Sequence, residues 1–202
     1  MFLPKGNDVW VDLNISFIEM NKFLVFLKRQ DFTGYIRLFL QDTQSVIFIQ
    51  EGDLVNGVTD VGEERRCGQN EAKEVLNRTR REKAGTITLS RLSLETIVTF
   101  SEMFCYSVKR LYKDLSPEFS HLGKFVANLR DQAFTGYIEM RFSSDKKEGI
   151  IFFKRGKIEA ILTEEIEIGL KKQERNDLIH VNLKLLEEAQ QHGVTYDVFS
   201  AY

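Results

Sequence analysis

Apolar residues recur along the chain with two different spacings, which alternate from one segment to the next. Phe17, Met20, Phe23, Leu24 and Leu27 lie three or four positions apart, so they predict an amphipathic helix. From position 36 to 40 every second residue is aliphatic, which is typical of a strand that buries one face. The same pattern predicts strands at 46–50 and 54–59, a helix at 71–83 and a closing strand at 86–92.

This pattern occurs twice, at an offset of 102 residues. Lys22–Ile36 reads KFLVFLKRQDFTGYI and Lys124–Ile138 reads KFVANLRDQAFTGYI, so nine of these fifteen positions are identical. The match continues at an offset of 104, where Val46–Gly52 aligns with Ile150–Gly156. Two copies of so long a period indicate a duplicated module rather than a solenoid. The second copy predicts helices at 119–129 and 176–191 and strands at 138–142, 150–154, 158–163 and 194–201.

The order of elements predicts an α+β fold of two tandem α-β-β-β-α-β modules with antiparallel sheets. We assign residues 1–92 to the first module and residues 116–202 to the second. The stretch 93–115 is not repeated and is rich in apolar residues, so we predict that it forms a long connecting helix. That helix would be clamped between the two copies or would bury its apolar stripe against a second chain.

Polar and small residues mark the predicted boundaries. Asn14 and Ser116 precede the first helix of each copy and are suited to cap it. Gly52 and Gly156 stand between charged residues, which is typical of tight hairpin turns. Gly34 separates the first helix from the first strand, and we expect it to take a conformation that other residues adopt only at a cost.

Composition narrows the class of protein. The 202 residues are 43% apolar and 29% charged, which indicates one or two folded domains rather than a disordered chain. A net charge of −2 argues against a general nucleic-acid binder, and no apolar run approaches the ~20 residues of a membrane span. Cys67 and Cys105 fit neither a disulfide framework nor a metal site, which favours a cytoplasmic protein with reduced thiols. We expect Cys105 to be buried and Cys67 to be the more exposed thiol.

In both copies a Thr-Gly pair precedes the first strand, and a hairpin with a Phe-x-x-Gly-x-apolar pattern follows. This arrangement resembles the PATAN-type domain, a family named after a bacterial pattern-formation protein. The first copy departs from the family at Asn56, where a small Ala is favoured. The resemblance implies a bacterial cytoplasmic regulatory module, without enzymatic activity, that acts through protein contacts in signalling or motility. The matching residues are Thr33, Gly34, Phe48 and Gly52 in the first copy and Thr135, Gly136, Phe152, Gly156 and Ala160 in the second.

The residues themselves also indicate a non-catalytic protein. The sequence contains no zinc-protease, phosphate-loop or nucleophile-elbow motif, and we assign no catalytic residue, cofactor or metal site. The histidines His121, His180 and His192 lie in or beside predicted helices and share no metal-ligand motif. An enzyme that uses Cys67, with a thiol pKa lowered by neighbouring arginines, is the least favoured alternative.

The outward face of the first strand in each copy supplies the candidate partner surface, because exposed aromatic residues favour interfaces. The alternative is that these aromatic residues pack under a neighbouring helix. The hairpin tips carry opposite charges, acidic at Glu51 and Asp53 and basic in the second copy, so the copies, or two chains of a homodimer, could meet through complementary charge. The candidate partner surface consists of Tyr35, Arg37, Phe39, Tyr137, Glu139, Arg155 and Lys157.

We therefore predict a signalling adaptor that binds a protein partner. The alternative is a small-ligand sensor that binds an anion or a nucleotide near Arg78, Arg80 and Arg81, at the end of the helix predicted over 71–83. These arginines also suit a helix terminus without any ligand, because the helix dipole favours cations there.

Overall fold

The structure is a computed structural model that describes residues 1–41, 43–82, 84–116, 121–142, 148–163, 167–168 and 193–202. It divides the chain into two compact units. The N-terminal unit is Gly6–Val108, and the C-terminal unit combines Lys109–Tyr202 with Met1–Lys5.

The N-terminal unit is an antiparallel sheet with helices on both faces. Its strands run in the order β1-β6-β2-β3-β4-β5, and every neighbouring pair is antiparallel. In chain order the elements are β1 (Asn7–Asn14), a 3-10 helix (Ile15–Phe17), α1 (Met20–Arg29), β2 (Gly34–Leu40), β3 (Thr43–Gln50), β4 (Asp53–Val61), β5 (Glu64–Gly68), α2 (Gln69–Arg81), β6 (Thr86–Arg91) and α3 (Leu94–Met103).

The C-terminal unit is also built on an antiparallel sheet. Its strands run in the order β7-β12-β8-β9-β10-β11. The described elements are β7 (Val108–Leu115), α4 (Leu122–Asp131), β8 (Gly136–Phe142), β9 (Glu148–Lys154), β10 (Lys157–Thr163), β11 (Glu167–Ile168) and β12 (Val194–Ala201). The helix predicted over 176–191, together with His180 and His192, lies outside the described residues.

The predicted fold class is wrong, because antiparallel strands dominate the described residues, and the elements found there are not two α-β-β-β-α-β modules joined by a long helix. Two strands that the pattern did not predict, β1 and β5, extend the N-terminal sheet. The predicted connecting helix over 93–115 is in fact α3 followed by the strand β7. Leu111 and Tyr112, whose spacing suggested a buried helical stripe, lie on that strand and are about half exposed.

The predicted helix starts are also displaced. Asn14 caps the 3-10 helix rather than α1, since its Oδ1 accepts from the N–H of Ser16 at 2.9 Å. Ser116 is not the N-cap of α4, because that helix begins six residues later and His121 occupies its N-cap position. The consequence in the N-terminal unit is that Phe17, predicted on the buried stripe, ends the 3-10 helix and points into solvent.

The two faces of the N-terminal sheet are covered by different helices. On one face α1 and α2 pack over Ile36 and Leu38, which are fully buried. On the other face α3 brings Phe100 and Phe104 against Phe48, with ring centroids 6.0 Å apart in both pairs. Aromatic rings at this separation add attraction beyond the area that they bury. Successive residues of a central strand are therefore buried on opposite faces.

The buried side chain of Asn56, on β4, also joins α3 to the sheet through hydrogen bonds. Its Nδ2 donates to the carbonyl oxygens of Ser101 (3.1 Å) and Phe104 (2.7 Å). Its Oδ1 accepts from the backbone N–H groups of Gly57 and Gly68, both at 2.8 Å. A buried amide is tolerated only when it is hydrogen-bonded. These hydrogen bonds therefore explain why Asn, rather than the smaller Ala, occupies position 56.

The predicted tight hairpins are confirmed. Glu51 and Gly52 have φ of 49° and 78°, and Arg155 and Gly156 have φ of 51° and 76°, so both turns need two left-handed residues. Each turn is anchored in the same way, because the N–H of Gly52 or Gly156 donates to a Phe carbonyl oxygen at 2.8 or 2.7 Å. The left-handed backbone conformation of the turn therefore accounts for the glycine without a ligand.

Candidate functional site

A groove of about 410 Å³ opens in the N-terminal unit where the 3-10 helix, the start of α1 and the end of α2 meet. The short helix is held firmly, because the N–H of Ile15 donates to the Gly85 carbonyl oxygen at 3.0 Å and the Ile15 side chain is buried. The lining of the groove combines apolar side chains, which we call the apolar wall, with polar side chains, which we call the polar wall. They include Ile15, Phe17, Ile18, Met20, Asn21 and Arg80.

Phe17 is the most exposed large apolar side chain that the structure describes, at 80%. Its neighbour Ile18 packs against the unit's core, and Ile15 lies within that core. The 3-10 helix thus anchors itself through two isoleucines and presents the phenylalanine outward. A large, rigidly presented aromatic side chain is typical of a contact residue at an interface.

The three arginines of the predicted anion site do not act together. The side chain of Arg78 pairs with Glu82 at 3.5 Å, and that of Arg81 pairs with Glu74 at 2.9 Å. Each of these two cations is therefore matched by a carboxylate on its own helix or just beyond it, which leaves little net charge for a ligand.

Arg80 is the arginine of this group that lines the groove. Its Nη2 donates to the Asn21 amide oxygen at 2.8 Å and its Nη1 to the Asn77 amide oxygen at 3.0 Å. Both acceptors are neutral, so they orient the guanidinium without neutralising it. The acidic residue at the groove, Glu19, pairs with Lys22 at 2.7 Å. The groove therefore has an apolar wall and, in its polar wall, a guanidinium that is held by neutral acceptors.

The predicted partner surface is only partly at the surface. Tyr35 and Tyr137 are buried, at 5% and 0% exposure, and in the N-terminal unit α3 covers the face that carries Tyr35. Glu139 is buried as well, at 6%. Phe39 is 38% exposed, and the guanidinium carbon of Arg37 lies 5.3 Å from its ring centroid. The aromatic patch that alternation predicted is thus reduced to Phe39 with Arg37 beside it.

The hairpin tips differ in how far their charges are compensated. In the N-terminal unit Lys28 Nζ bonds Asp53 at 2.7 Å and the carbonyl oxygen of Glu51 at 3.3 Å. Arg155 and Lys157, at the corresponding tip of the C-terminal unit, are exposed. The acidic tip is therefore already partnered by a lysine of its own unit.

A buried charge cluster lies on the C-terminal sheet, at a place where the sequence predicted outward-facing side chains. Glu139 of β8 and Asp197 of β12 are paired in register, and both are nearly fully buried. Arg141 donates to Asp197 at 2.9 Å and to Asp114 at 2.6 Å. The N–H of Phe2 donates to Glu139 at 3.2 Å. Two carboxylates can be buried here because each one has donors.

The pKa of Asp197 lies below its usual value despite burial, which by itself raises it. Hydrogen bonds from the Arg141 guanidinium and the Asp114 N–H, together with the charges of Arg141 and Arg110, outweigh that penalty. Because these donors favour the ionised form, we interpret the cluster as an ion-pair network that holds β12 to its neighbours.

The cysteines are placed in the opposite way to the prediction: Cys105 is exposed and Cys67 is partly buried. Burial raises the pKa of the Cys67 thiol to about 12, and the charge of Arg65 offsets this only in part. Arg65 is itself engaged with Asp60 at 2.5 Å. A thiol with this pKa stays protonated at neutral pH and is a poor nucleophile.

The sequence predicts a possible site near Arg80 but does not predict the apolar wall that lines the same groove. The 3.6-residue spacing predicts both Phe17 and Met20 on the buried face of a helix; Met20 is buried in α1 as predicted, whereas Phe17 lies in the 3-10 helix and is exposed. One signal pointed the other way, namely Asn14 three residues ahead of Phe17, which allows a short capped turn before the helix. Among the residues that the structure describes, no group of His, Cys, Asp and Glu could hold a metal ion.

A scan against protein-family models finds no matching family, and searches of curated proteins and of solved structures find no match either. In the described part of the chain, no helix combines the length and the apolar character needed to cross a membrane.

Proposed function

We propose that this protein is a non-catalytic, cytoplasmic adaptor that binds a protein partner through the groove beside Phe17. The observation that carries the proposal is the exposure of Phe17 on a turn that is fixed at both ends. Exposed, pre-ordered aromatic residues lose little conformational entropy on binding and dominate many interfaces. The resemblance to PATAN-type regulatory modules supports the same class of function.

The test compares capture by the full-length chain and by two variants. Wild type, Phe17→Asp and Phe39→Asp are each immobilised and exposed to an extract of the source cells, and bound proteins are identified by mass spectrometry. We expect one or more proteins to be lost with Phe17→Asp and retained with Phe39→Asp. The captured protein is then purified and titrated calorimetrically. Equal capture by all three forms would contradict the proposal.

A second candidate function, the binding of a small anion or nucleotide, is favoured by Arg80, because its guanidinium is oriented by two neutral amides. Thermal unfolding with a panel of nucleotides and inorganic phosphate tests it. A ligand at 100 times its dissociation constant stabilises the folded state by about 2.7 kcal/mol. A shift that disappears in Arg80→Gln would favour the sensor over the adaptor.

A further inference from the structure

We propose that the occupant of this groove is a peptide segment of a protein partner in which an apolar side chain stands beside a carboxylate. The inference rests on the proposed function and deepens it, because it names the chemistry of the partner. It follows from the two walls of the groove, because each wall suits a different chemical group of a ligand.

The apolar wall selects the first feature of the partner. Ile15 and Met20 line the groove but are only 3% and 6% exposed, so Phe17, at 80%, and the half-buried Ile18 supply its accessible apolar surface. The turn that carries them is braced by hydrogen bonds from Ser16 to Asn14 and from Ile18 to Ile15, at 2.9 Å in both cases. Such a surface is already ordered before binding, so an apolar side chain that enters it gains contact without the cost of ordering a loop.

The polar wall selects the second feature. The acceptors that the structure describes for Arg80 are the neutral amides of Asn21 and Asn77, whereas the neighbouring Arg78 and Arg81 pair with carboxylates. A guanidinium has five N–H donors, and two hydrogen bonds to amides leave donors for a carboxylate. Arg80 and the apolar wall line the same groove, so one short segment can satisfy both.

Selection from a random peptide library tests this pairing. Peptides displayed on phage are selected on the immobilised full chain, and the enriched sequences are synthesised and titrated by fluorescence anisotropy. We expect Asp or Glu within two positions of Leu, Ile or Phe. We expect Phe17→Ala and Arg80→Glu each to weaken binding by about thirtyfold or more, the range of a hot-spot residue.

Matched substitutions serve as controls. Phe39→Ala removes another exposed phenylalanine, and Arg66→Glu reverses another exposed arginine, and neither residue lines the groove. We expect both controls to bind the selected peptides with unchanged affinity. Circular dichroism of all four variants verifies that each one is folded.

The remaining outcomes separate this inference from the proposed function. One outcome is a set of peptides that need Phe17 for binding, contain no acidic residue and bind Arg80→Glu with unchanged affinity. This outcome would overturn the acidic preference but would still support a protein-binding groove. Failure to obtain any peptide that depends on Phe17 would overturn both. Inorganic phosphate that binds through Arg80 while no peptide depends on Phe17 would overturn both in favour of the anion sensor.

Discussion

At the scale of single residues, accessibility is the property in which sequence and structure differ most. Cys67 stands in the polar run GEERRCGQN and Cys105 stands between Phe104 and Tyr106, so the local sequence predicts the wrong order of exposure. Cys67 lies on β5, and its N–H donates to the hydroxyl of Ser107, which follows α3. A segment forty residues away in the sequence therefore lies against β5 beside this cysteine.

Alkylation tests this placement. We expect iodoacetamide at pH 8 to modify the folded protein once, at Cys105, because the Cys67 thiol has a pKa of about 12 and is partly buried. Intact mass and peptide mapping give the number and position of adducts. Both thiols should react in urea, and Cys105→Ser should remain unmodified when folded. Rapid modification of Cys67 in the folded protein would contradict the burial described here.

The acid stability of the C-terminal unit should depend on Asp197. Its pKa is lower in the folded than in the unfolded protein, so its stabilising effect is complete above the unfolded value of ~3.9 and is lost as the pH falls through the folded value. We expect Asp197→Asn to be less stable than wild type at pH 7 and to lose less stability between pH 5 and pH 2. Urea unfolding across this range measures the effect.

The control for that experiment is Asp131→Asn, which removes an exposed carboxylate at the end of α4. It should follow the wild-type pH profile closely. A profile of Asp197→Asn parallel to that of wild type would show that the ion-pair network has no role in acid unfolding.

At the scale of elements, close contacts between strands explain why glycine stands before the first strand of each copy. The sequence pattern alone attributes these glycines to a special backbone conformation. A Cβ at Gly34 would overlap the carbonyl oxygen of Ser90 on β6, and one at Gly136 would overlap that of Phe199 on β12. The glycine is thus required by the approach of a neighbouring strand. Local sequence shows where the glycine stands, but the neighbouring strand that requires it lies far along the chain.

Substitution of Gly34 measures this requirement. We expect Gly34→Ala to destabilise the protein by about 3 kcal/mol, since the obstruction is backbone and cannot move aside cheaply. Gly62→Ala is the matched control: its φ of 61° is left-handed, but nothing surrounds a Cβ there, so we expect a cost of about 1 kcal/mol. Urea denaturation gives both values. Equal losses would refute the role of strand approach.

At the scale of the whole molecule, the two compact units do not simply follow one another along the sequence. The N-terminal unit is one continuous segment with its own core, whereas the C-terminal unit includes Met1–Lys5 from the other end of the chain. Phe2 is 2% exposed and its N–H is bonded to the buried Glu139. A terminal segment that covers a buried carboxylate is part of the fold rather than an appendage.

Truncation tests this assignment. We expect a fragment of residues 6–108 to unfold cooperatively, because the hydrophobic cluster under α1 and α2 is formed entirely by residues of this segment. We expect the full chain without residues 1–5 to lose about 2 kcal/mol from its C-terminal unit, which corresponds to the burial of one phenylalanine. Urea unfolding followed by circular dichroism measures both. Unchanged stability after the deletion would show that Phe2 contributes little.

The amino-acid sequence by itself determined the local structure: the tight turns at Gly52 and Gly156, most strands and the bodies of α1, α2 and α4. These depend on neighbours within a few positions, whose spacing is visible in the sequence. Only the tertiary structure decided that α3 covers Tyr35, that 108–115 is a strand and that Phe17 stays exposed beside Arg80. The physical reason is that alternation shows which side chains share a face, whereas burial of that face depends on segments distant in the chain.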